Sequence, residues 1–233
     1  MPIGILATCS GVLLGSLLGC WIGGKLPDKL KTDLNILLGF CSISIGITSI
    51  IRVHAMAPVV LAVLLGYLIG GLINLEGLLI KGLGLLLRRL PLPRAEGFDM
   101  DRYVTATVLF CFSGFAIYGV LVEAMSGDSS ILLSKAVLDV ATALIFAITL
   151  RYAMVIIPVP MLGVLLAVFG LGKWIAPLVD ETMLRDFIAC GGILTVAAGM
   201  RVASIKNTAI TNLIPALILV MPLSRLWDLL WQI

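Results

Sequence analysis

Residues 11–24 read GVLLGSLLGCWIGG, and glycine recurs there at every fourth position, at Gly11, Gly15, Gly19 and Gly23. Four residues are close to one turn of an α-helix, so these glycines would lie on one face of a helix. A glycine in a helix interior costs about 1 kcal/mol relative to alanine. A helix that carries this cost repeatedly needs a compensating contact, whose nature depends on whether water or lipid surrounds the helix.

The composition indicates that lipid, rather than water, surrounds this helix. Of the 233 residues, 61% are hydrophobic and 12% are charged, whereas soluble domains have about 45–50% apolar and about 25% charged residues. We therefore expect an all-α, polytopic membrane protein whose first partner is the lipid bilayer. In lipid, small residues let helix backbones approach closely. The glycine face is thus predicted to be a helix–helix contact, and Gly66 and Gly70 are predicted to form a similar one.

A membrane span needs about 20 apolar residues. By this measure we predict eight spans, near 3–24, 34–51, 56–75, 103–122, 132–151, 157–178, 186–204 and 209–230, with seven spans and a re-entrant segment as the alternative. The run of residues 131–179 is too long for one span and is expected to fold back around Arg151 to Pro160, where Pro158 and Pro160 disfavour a continuous helix. Residues 76–102 are expected to form an interfacial amphipathic helix or a solvated basic loop, followed by a proline-rich linker.

Lysine and arginine are concentrated in the loops after the first, third, fifth and seventh spans. This asymmetry predicts that those loops are cytoplasmic and that both termini face the periplasm. We expect a single transmembrane domain over 1–233, divided into a first unit (3–75), a linker (76–102), central spans (103–151) and a second unit (157–230).

The first and second units resemble each other weakly. Residues 11–14 (GVLL) recur at 163–166, and several further residues align after a slip of one position. The aligned pairs are Trp21 with Trp174, Asp33 with Asp186, Gly39 with Gly192, and Gly46 with Gly199. Five spans separate equivalent helices, so the copies would have opposite orientations in the membrane. Inverted repeats recur in secondary transporters, whose substrate sites lie near the midplane between the repeats.

The segment 127–139 (GDSSILLSKAVLD) places charged residues inside a predicted span. Lys135 and Asp139 are one turn apart, in the order that stabilises an isolated helix less. Asp139 would lie roughly 12 Å inside the helix, where an ionised side chain costs about 2.5–3.5 kcal/mol. Two interpretations remain open: a binding site for an ion, a proton or a solute, or a buried ion pair that only fixes helix packing.

Four other polar residues are candidates for the same site. Asp128 and Ser129 precede the charged helix and offer N-cap chemistry. Arg201 ends the seventh span, where it would line the site or extend to the interface. Asn212 lies where the eighth span would begin, where it could break or cap the helix and expose backbone polar groups.

The sequence offers little for catalysis or for a metal. Five cysteines lie in apolar segments without paired spacing, and His54 is the single histidine, so we expect neither a metal site nor a cofactor. No P-loop, GxSxG or HExxH motif is present, which argues against an enzyme. A net charge of +3 is too small to indicate nucleic-acid binding.

Three stretches, VTATVLFCFSGFAIYG (104–119), the 127–139 segment and NLIPALILVMPLS (212–224), resemble domain-of-unknown-function family 554, the YqgA/YdfK-like bacterial inner-membrane proteins. The likeness covers nearly the whole chain. The family is described only in terms of candidate transporters, so the resemblance implies an inner-membrane location more firmly than a substrate. The chain departs from common members at Thr8, Arg151, Leu162 and Arg201, where asparagine, glycine, glutamine and asparagine, respectively, are usual.

Together these observations predict a secondary transporter or channel for a small solute or ion, with its site where the inverted units meet. The alternative is a structural or sensory membrane protein that transports nothing and whose buried charges only lock its helices together. The glycine face would serve packing within one chain, the contact of a homodimer, or a smooth surface along which a helix slides.

Overall fold

The computed structural model describes residues 2–22, 27–87, 100–206 and 208–231. In these parts the regular secondary structure is helical, without strands. The α-helices are α1 (Ile3–Ile22), α2 (Asp28–Ile50), α3 (Met56–Leu72), α4 (Leu75–Leu87), α5 (Met100–Cys111), α6 (Gly114–Ser126), α7 (Ser130–Leu150), α8 (Pro158–Ile175), α9 (Glu181–Val202) and α10 (Ile214–Trp231). Short 3-10 helices cover Arg151–Ile156, Ala176–Leu178 and Ile210–Leu213.

Seven helical segments among the described residues are long and apolar enough to cross a membrane. They correspond to α1, α2, α5 with α6, α7, α8, α9 and α10. An eighth span results if α3 and α4, whose axes differ by 51°, are counted together. The prediction of an all-α membrane bundle with about eight spans, or seven, is confirmed. The apolar start of the 76–102 linker forms α4, while most of that linker lies outside the described residues.

The chain turns back between α7 and α8, within the segment in which the sequence predicts a reversal. Arg151 begins the 3-10 helix there, and Pro158 takes the first position of α8. Proline is well tolerated at this position, because the backbone N–H that it lacks would have no partner within the helix. Arg151 has φ 49° and ψ −135°. Only glycine adopts such a conformation without strain.

Replacing Arg151 with glycine should therefore stabilise the protein. We expect the free energy of unfolding to rise by about 1 kcal/mol, because glycine relieves a backbone strain of about 1–3 kcal/mol and gives up part of that gain in unfolded-state entropy. Thermal unfolding in detergent measures the change. Arg151→Ala is the control, since it removes the charge and keeps the strain. Equal stabilisation by alanine would show that the side chain, rather than the backbone, is responsible.

The strongest helix contact joins α1 to α7, which run in the same direction. Gly11, Gly15 and Gly19 face α7 so closely that no side chain fits. A Cβ added at Gly15 would lie 2.1 Å from the carbonyl oxygen of Val140. Gly23 lies outside the described residues. The α1 glycine face (Gly11, Gly15 and Gly19) is thus buried within one chain, where close van der Waals contact can stabilise a helix pair in lipid.

A second close contact joins α3 to α10, which run antiparallel. An added Cβ at Gly66 would lie 2.4 Å from the backbone nitrogen of Ala216, and one at Gly70 would lie 2.1 Å from the carbonyl oxygen of Asn212. Backbone therefore meets backbone along this pair too.

Antiparallel α2 and α9 cross with two reciprocal glycine contacts. Gly39 lies against Gly199, and Gly46 lies against Gly192. The sequence alignment pairs Gly39 with Gly192 and Gly46 with Gly199, so exchanging the two units converts one contact into the other. A two-fold axis between repeats produces this kind of reciprocity. The inverted repeat itself stays a prediction, as does the division of the chain into units.

Hydroxyl side chains inside the helices bond to carbonyls about one turn earlier on the same helix. Thr8 donates to the Gly4 carbonyl at 2.8 Å, and Ser16 donates to the Val12 carbonyl at 2.6 Å. Thr107, Ser126, Thr142 and Thr195 follow the same pattern. A buried hydroxyl within the membrane has no water to bond to, so it donates its hydrogen to a carbonyl oxygen of its own helix.

Candidate functional site

The span formed by α5 and α6 is interrupted in its middle. Phe112 and Ser113 are not helical, and the Ser113 hydroxyl caps α6 by accepting the N–H of Ala116 at 3.1 Å. The sequence predicts one span at 103–122 and does not predict this break, although serine followed by glycine at Gly114 is a recognisable helix-start signal. Discontinuous helices are typical of binding sites at the membrane midplane.

A cavity of about 270 Å³ lies beside the break. Its polar lining comes from Asn35, Glu76, Thr105, Ser113, Thr142, Arg201 and Thr211, and its apolar lining includes Ile80, Phe112 and Phe146. A smaller cavity, of about 60 Å³, reaches Lys135 and Asp139. Both cavities are lined by Leu109, Ser113, Thr142, Ala198 and Val202. The two spaces therefore adjoin at the α5–α6 break, between α2 and α9 on one side and α7 on the other.

Lys135 and Asp139 form a buried ion pair beside the smaller cavity. Their exposed fractions are 4% and 6%, and the Lys135 ammonium donates to Oδ2 of Asp139. The ammonium also lies 5.9 Å from the ring centroid of Phe110 on α5, within range of a cation–π interaction. The structure thus brings together the two residues that the sequence singles out and places them beside the smaller cavity.

Arg201 does not simply extend to the interface. Its two terminal nitrogens donate to both carboxylate oxygens of Glu76 at 3.0 and 3.2 Å. Asn212 belongs to the same group, because its Oδ1 accepts the Glu76 N–H at 2.9 Å. Bidentate pairing of this kind fixes geometry as well as charge. Glu76 is a residue that the sequence analysis misses, although an acidic residue between the apolar α3 and α4 is a usable signal.

Asp128 and Ser129 lie at the opposite end of the bundle and do not line either of the two cavities. Asp128 accepts the N–H of Ser130 at 2.9 Å, and hydrogen bonds from Ser130 lower the pKa of Asp128, which lies in the loop before α7. The Ser129 hydroxyl donates to Glu123 at 2.7 Å. The structure therefore separates these two candidates from the ion pair.

The bundle is closed between the α5–α6 break and that opposite end. The Tyr118 ring fills the space beside Gly191, where an added Cβ would meet it at 2.2 Å. Its hydroxyl bonds to the Ser49 hydroxyl at 3.1 Å, and its ring packs against Phe187. The described residues that line the larger cavity extend from the break toward the end where α9 finishes near Arg201.

Two further buried carboxylates were not singled out as candidates. Glu123 accepts the N–H of Gly4 at 2.7 Å and so caps α1. Asp186 is fully buried and accepts the backbone N–H groups of His54 and Ala55 at 2.9 and 2.8 Å, at the start of α3. Both satisfy helix N-termini, which have unpaired N–H groups and favour negative charge. They hold the closed end together rather than line the cavity.

Seven or eight helical spans among the described residues, each long and apolar enough to cross a bilayer, define a multi-span integral membrane protein. The family model described as a protein of unknown function (DUF554) matches residues 3–225, and the chain belongs to this family. The relation that the sequence resemblance predicts is thereby confirmed.

Two curated relatives extend over most of the chain. The uncharacterized protein YqgA of Escherichia coli (strain K12) is 38% identical over 97% of this chain and 98% of its own length. The uncharacterized membrane protein YdfK of Bacillus subtilis (strain 168) is 24% identical over 89% of each chain. No solved structure matches.

Proposed function

We propose that the protein is a secondary transporter for a small solute or ion, which crosses the bilayer by way of the two adjoining cavities. One observation carries this proposal: two adjoining cavities, mostly apolar but with several polar side chains in their lining, extend from the Arg201–Glu76 pair, at one end of the bundle, to the buried Lys135–Asp139 pair. Charged groups within a membrane are costly, and in transport proteins they mark ion and substrate pathways.

Closure by Tyr118 supports a transporter over an open channel. A pathway that packed side chains seal at one end is what alternating access requires of each of its two states. The contacts of α2 and α9 place backbone against backbone at two points that the exchange of the two units would interchange, and this crossing would be the pivot about which one unit rocks against the other. The proposal needs no enzymatic chemistry, cofactor or nucleic acid, and the cavity forms within one chain, so a homodimer is not required for it.

The second candidate function is a structural or sensory membrane protein. The observation in its favour is the near-complete burial of Lys135 and Asp139, since a static ion pair would be buried in the same way. The two functions differ in whether the inner space exchanges with water on both sides of the membrane.

Cysteine accessibility distinguishes the two functions. Thr142 lines both cavities, whereas Val137 on the same helix is 72% exposed on the outer surface of the bundle. A membrane-impermeant thiol reagent should modify Thr142→Cys from either side of sealed vesicles, in separate experiments, and should leave the lipid-facing control Val137→Cys unmodified. If the reagent modifies Thr142→Cys from only one side, or from neither side, the result contradicts a transport pathway.

We further propose that the chain lies in a bacterial inner membrane with both termini periplasmic, as the distribution of lysine and arginine indicates. A cysteine at Glu96 should react with an impermeant reagent only from the cytoplasmic side, and a cysteine appended after Ile233 only from the periplasmic side. The parent chain with its own cysteines serves as the blank. Reaction of both added cysteines from one side would contradict the eight-span arrangement.

A further inference from the structure

We propose that the larger cavity binds a small zwitterionic amino acid with an apolar side chain. This names the substrate class of the transporter proposed above and rests on that function. In the complex the carboxylate of the amino acid accepts hydrogen bonds from Arg201, and its ammonium group donates to Glu76 and Asn35, which line the same cavity. The side chain of the amino acid lies along the apolar part of the lining, toward the α5–α6 break.

The charges in the cavity favour a ligand that carries both signs. Among the described residues that line it, Arg201 and Glu76 are the charged ones, and they are paired with each other. A ligand with a single charge would add an uncompensated charge to this neutral pair in a partly dehydrated space, where it costs more than in water. At neutral pH an α-amino acid carries both a carboxylate and an ammonium group. Charge balance therefore favours an amino acid over a simple carboxylate or a simple amine.

Both members of the Arg201–Glu76 pair are held in place and can also reach a ligand. In the described part of the structure Arg201 uses two of its five N–H groups on Glu76, and a guanidinium can donate to a second carboxylate in parallel. Glu76 is fixed from its other side, since its carboxylate accepts the N–H of Thr211 at 3.4 Å and its own N–H donates to Asn212. The side chains of Arg201 and Glu76 are 26% and 14% exposed, so both are accessible from the cavity.

The rest of the cavity suits an aliphatic side chain. Most of its surface is apolar, with contributions from Val108, Leu109, Phe112, Phe146 and Val202. Small-molecule sites commonly combine an apolar lining with a few polar groups that fix the orientation of the ligand. The volume of about 270 Å³ equals that of about nine water molecules at about 30 Å³ each. Valine and leucine, which have about that many non-hydrogen atoms, match this size.

The experiment is a calorimetric titration of the full chain in detergent with leucine and two analogues. 4-Methylpentanoate lacks only the ammonium group of leucine, and 3-methylbutylamine lacks only its carboxylate. Leucine should bind at least about tenfold more tightly than either analogue, because each analogue loses a charge-assisted hydrogen bond. Alanine should bind about 50-fold more weakly than leucine, since each of the lost carbon atoms costs about fourfold. Absence of leucine and valine binding, or equal binding of leucine and its analogues, overturns the proposal.

Two variants assign the charges of the ligand to their partners. In Glu76→Gln the cavity retains only the positive charge, so 4-methylpentanoate should bind more tightly than leucine. In Arg201→Gln the cavity retains only the negative charge, so 3-methylbutylamine should bind more tightly than leucine. A pair that only held helices together would lower the stability of the variants without reversing either preference. The leucine preference in both folded variants overturns the assignment.

An exposed ion pair at the other end of α9 provides matched controls. Arg185 donates to Glu181 there, and their side chains are 54% and 78% exposed. Glu181→Gln and Arg185→Gln should therefore keep the parent order of the three ligands. If Glu76→Gln or Arg201→Gln fails to fold, as checked by thermal unfolding, the comparison of the three ligands on the parent chain still decides the proposal.

Uptake into sealed vesicles separates this inference from the transport function on which it rests. Saturable uptake of radiolabelled leucine that excess valine inhibits supports both. Leucine binding in detergent without uptake into vesicles supports the binding site and overturns the transporter. Modification of Thr142→Cys from both sides of the vesicles, together with absence of leucine binding, overturns the amino-acid site and leaves the transport pathway standing.

Discussion

Replacing Gly15 with leucine should prevent stable assembly of the bundle. At this position an added Cβ would lie 2.1 Å from the carbonyl oxygen of Val140 and 2.8 Å from its carbonyl carbon, so the obstacle is backbone that cannot rotate away. Leucine would force α1 away from α7 along the most extensive helix contact in the described structure. Overpacking commonly costs about 1–3 kcal/mol, and we expect a loss of at least about 3 kcal/mol here because two helices must separate.

A matched glycine on another span tests this explanation. Gly163 lies in α8, where an added Cβ would meet nothing within 4 Å. Gly163→Leu should leave stability unchanged or raise it by about 0.5–1 kcal/mol, because leucine favours helix more than glycine does. Thermal unfolding in detergent and yield from the membrane measure both variants. A Gly15→Leu protein as stable as the parent would contradict the close contact between α1 and α7 at Gly15.

Replacing Lys135 with methionine should be the most damaging single change at the ion pair. Methionine keeps the length and the apolar stem of lysine and leaves Asp139 without its cation at 6% exposure. Removing one partner of a buried ion pair costs about 3–5 kcal/mol, because the remaining charge is uncompensated. We expect a fall in the free energy of unfolding within that range, measured by thermal unfolding at neutral pH.

The double variant Lys135→Met with Asp139→Leu is the control for this prediction. It removes both charges and keeps an apolar filling, so it should recover most of the lost stability. This recovery separates a stranded charge from a packing defect, since a packing defect would persist or worsen in the double variant. A double variant as unstable as Lys135→Met would contradict the electrostatic explanation.

Much of the architecture could be predicted because a lipid bilayer allows few kinds of spanning structure. The apolar composition, the spacing of spans and the reversal before Pro158 follow from the need to bury backbone polar groups in a layer of fixed thickness. What could not be predicted is which helices meet. The spacing of Gly11, Gly15 and Gly19 predicts a contact, but nothing in residues 11–24 identifies α7 as the partner.

The candidate site was predictable only where charge lies within an apolar span. Lys135 and Asp139 stand out for that reason, and the structure places them together. Glu76 was missed because its role depends on Arg201, 125 residues away in the chain. The break at Phe112 and Ser113 was missed because hydropathy averages over a window and does not detect an interruption of two residues.

The pairing of early helices with late ones determines how the chain must be made. Helices α1, α2 and α3 find their main partners in α7, α9 and α10, which the ribosome completes only after more than a hundred further residues. At about 5–20 residues per second, α1 remains in the bilayer for on the order of ten seconds before α7 exists. Thr8 and Ser16 are already satisfied during that interval, because each bonds to its own helix. The helices of the first third of the protein must therefore be stable in lipid before their partners are made, and the helices of the last third complete the bundle.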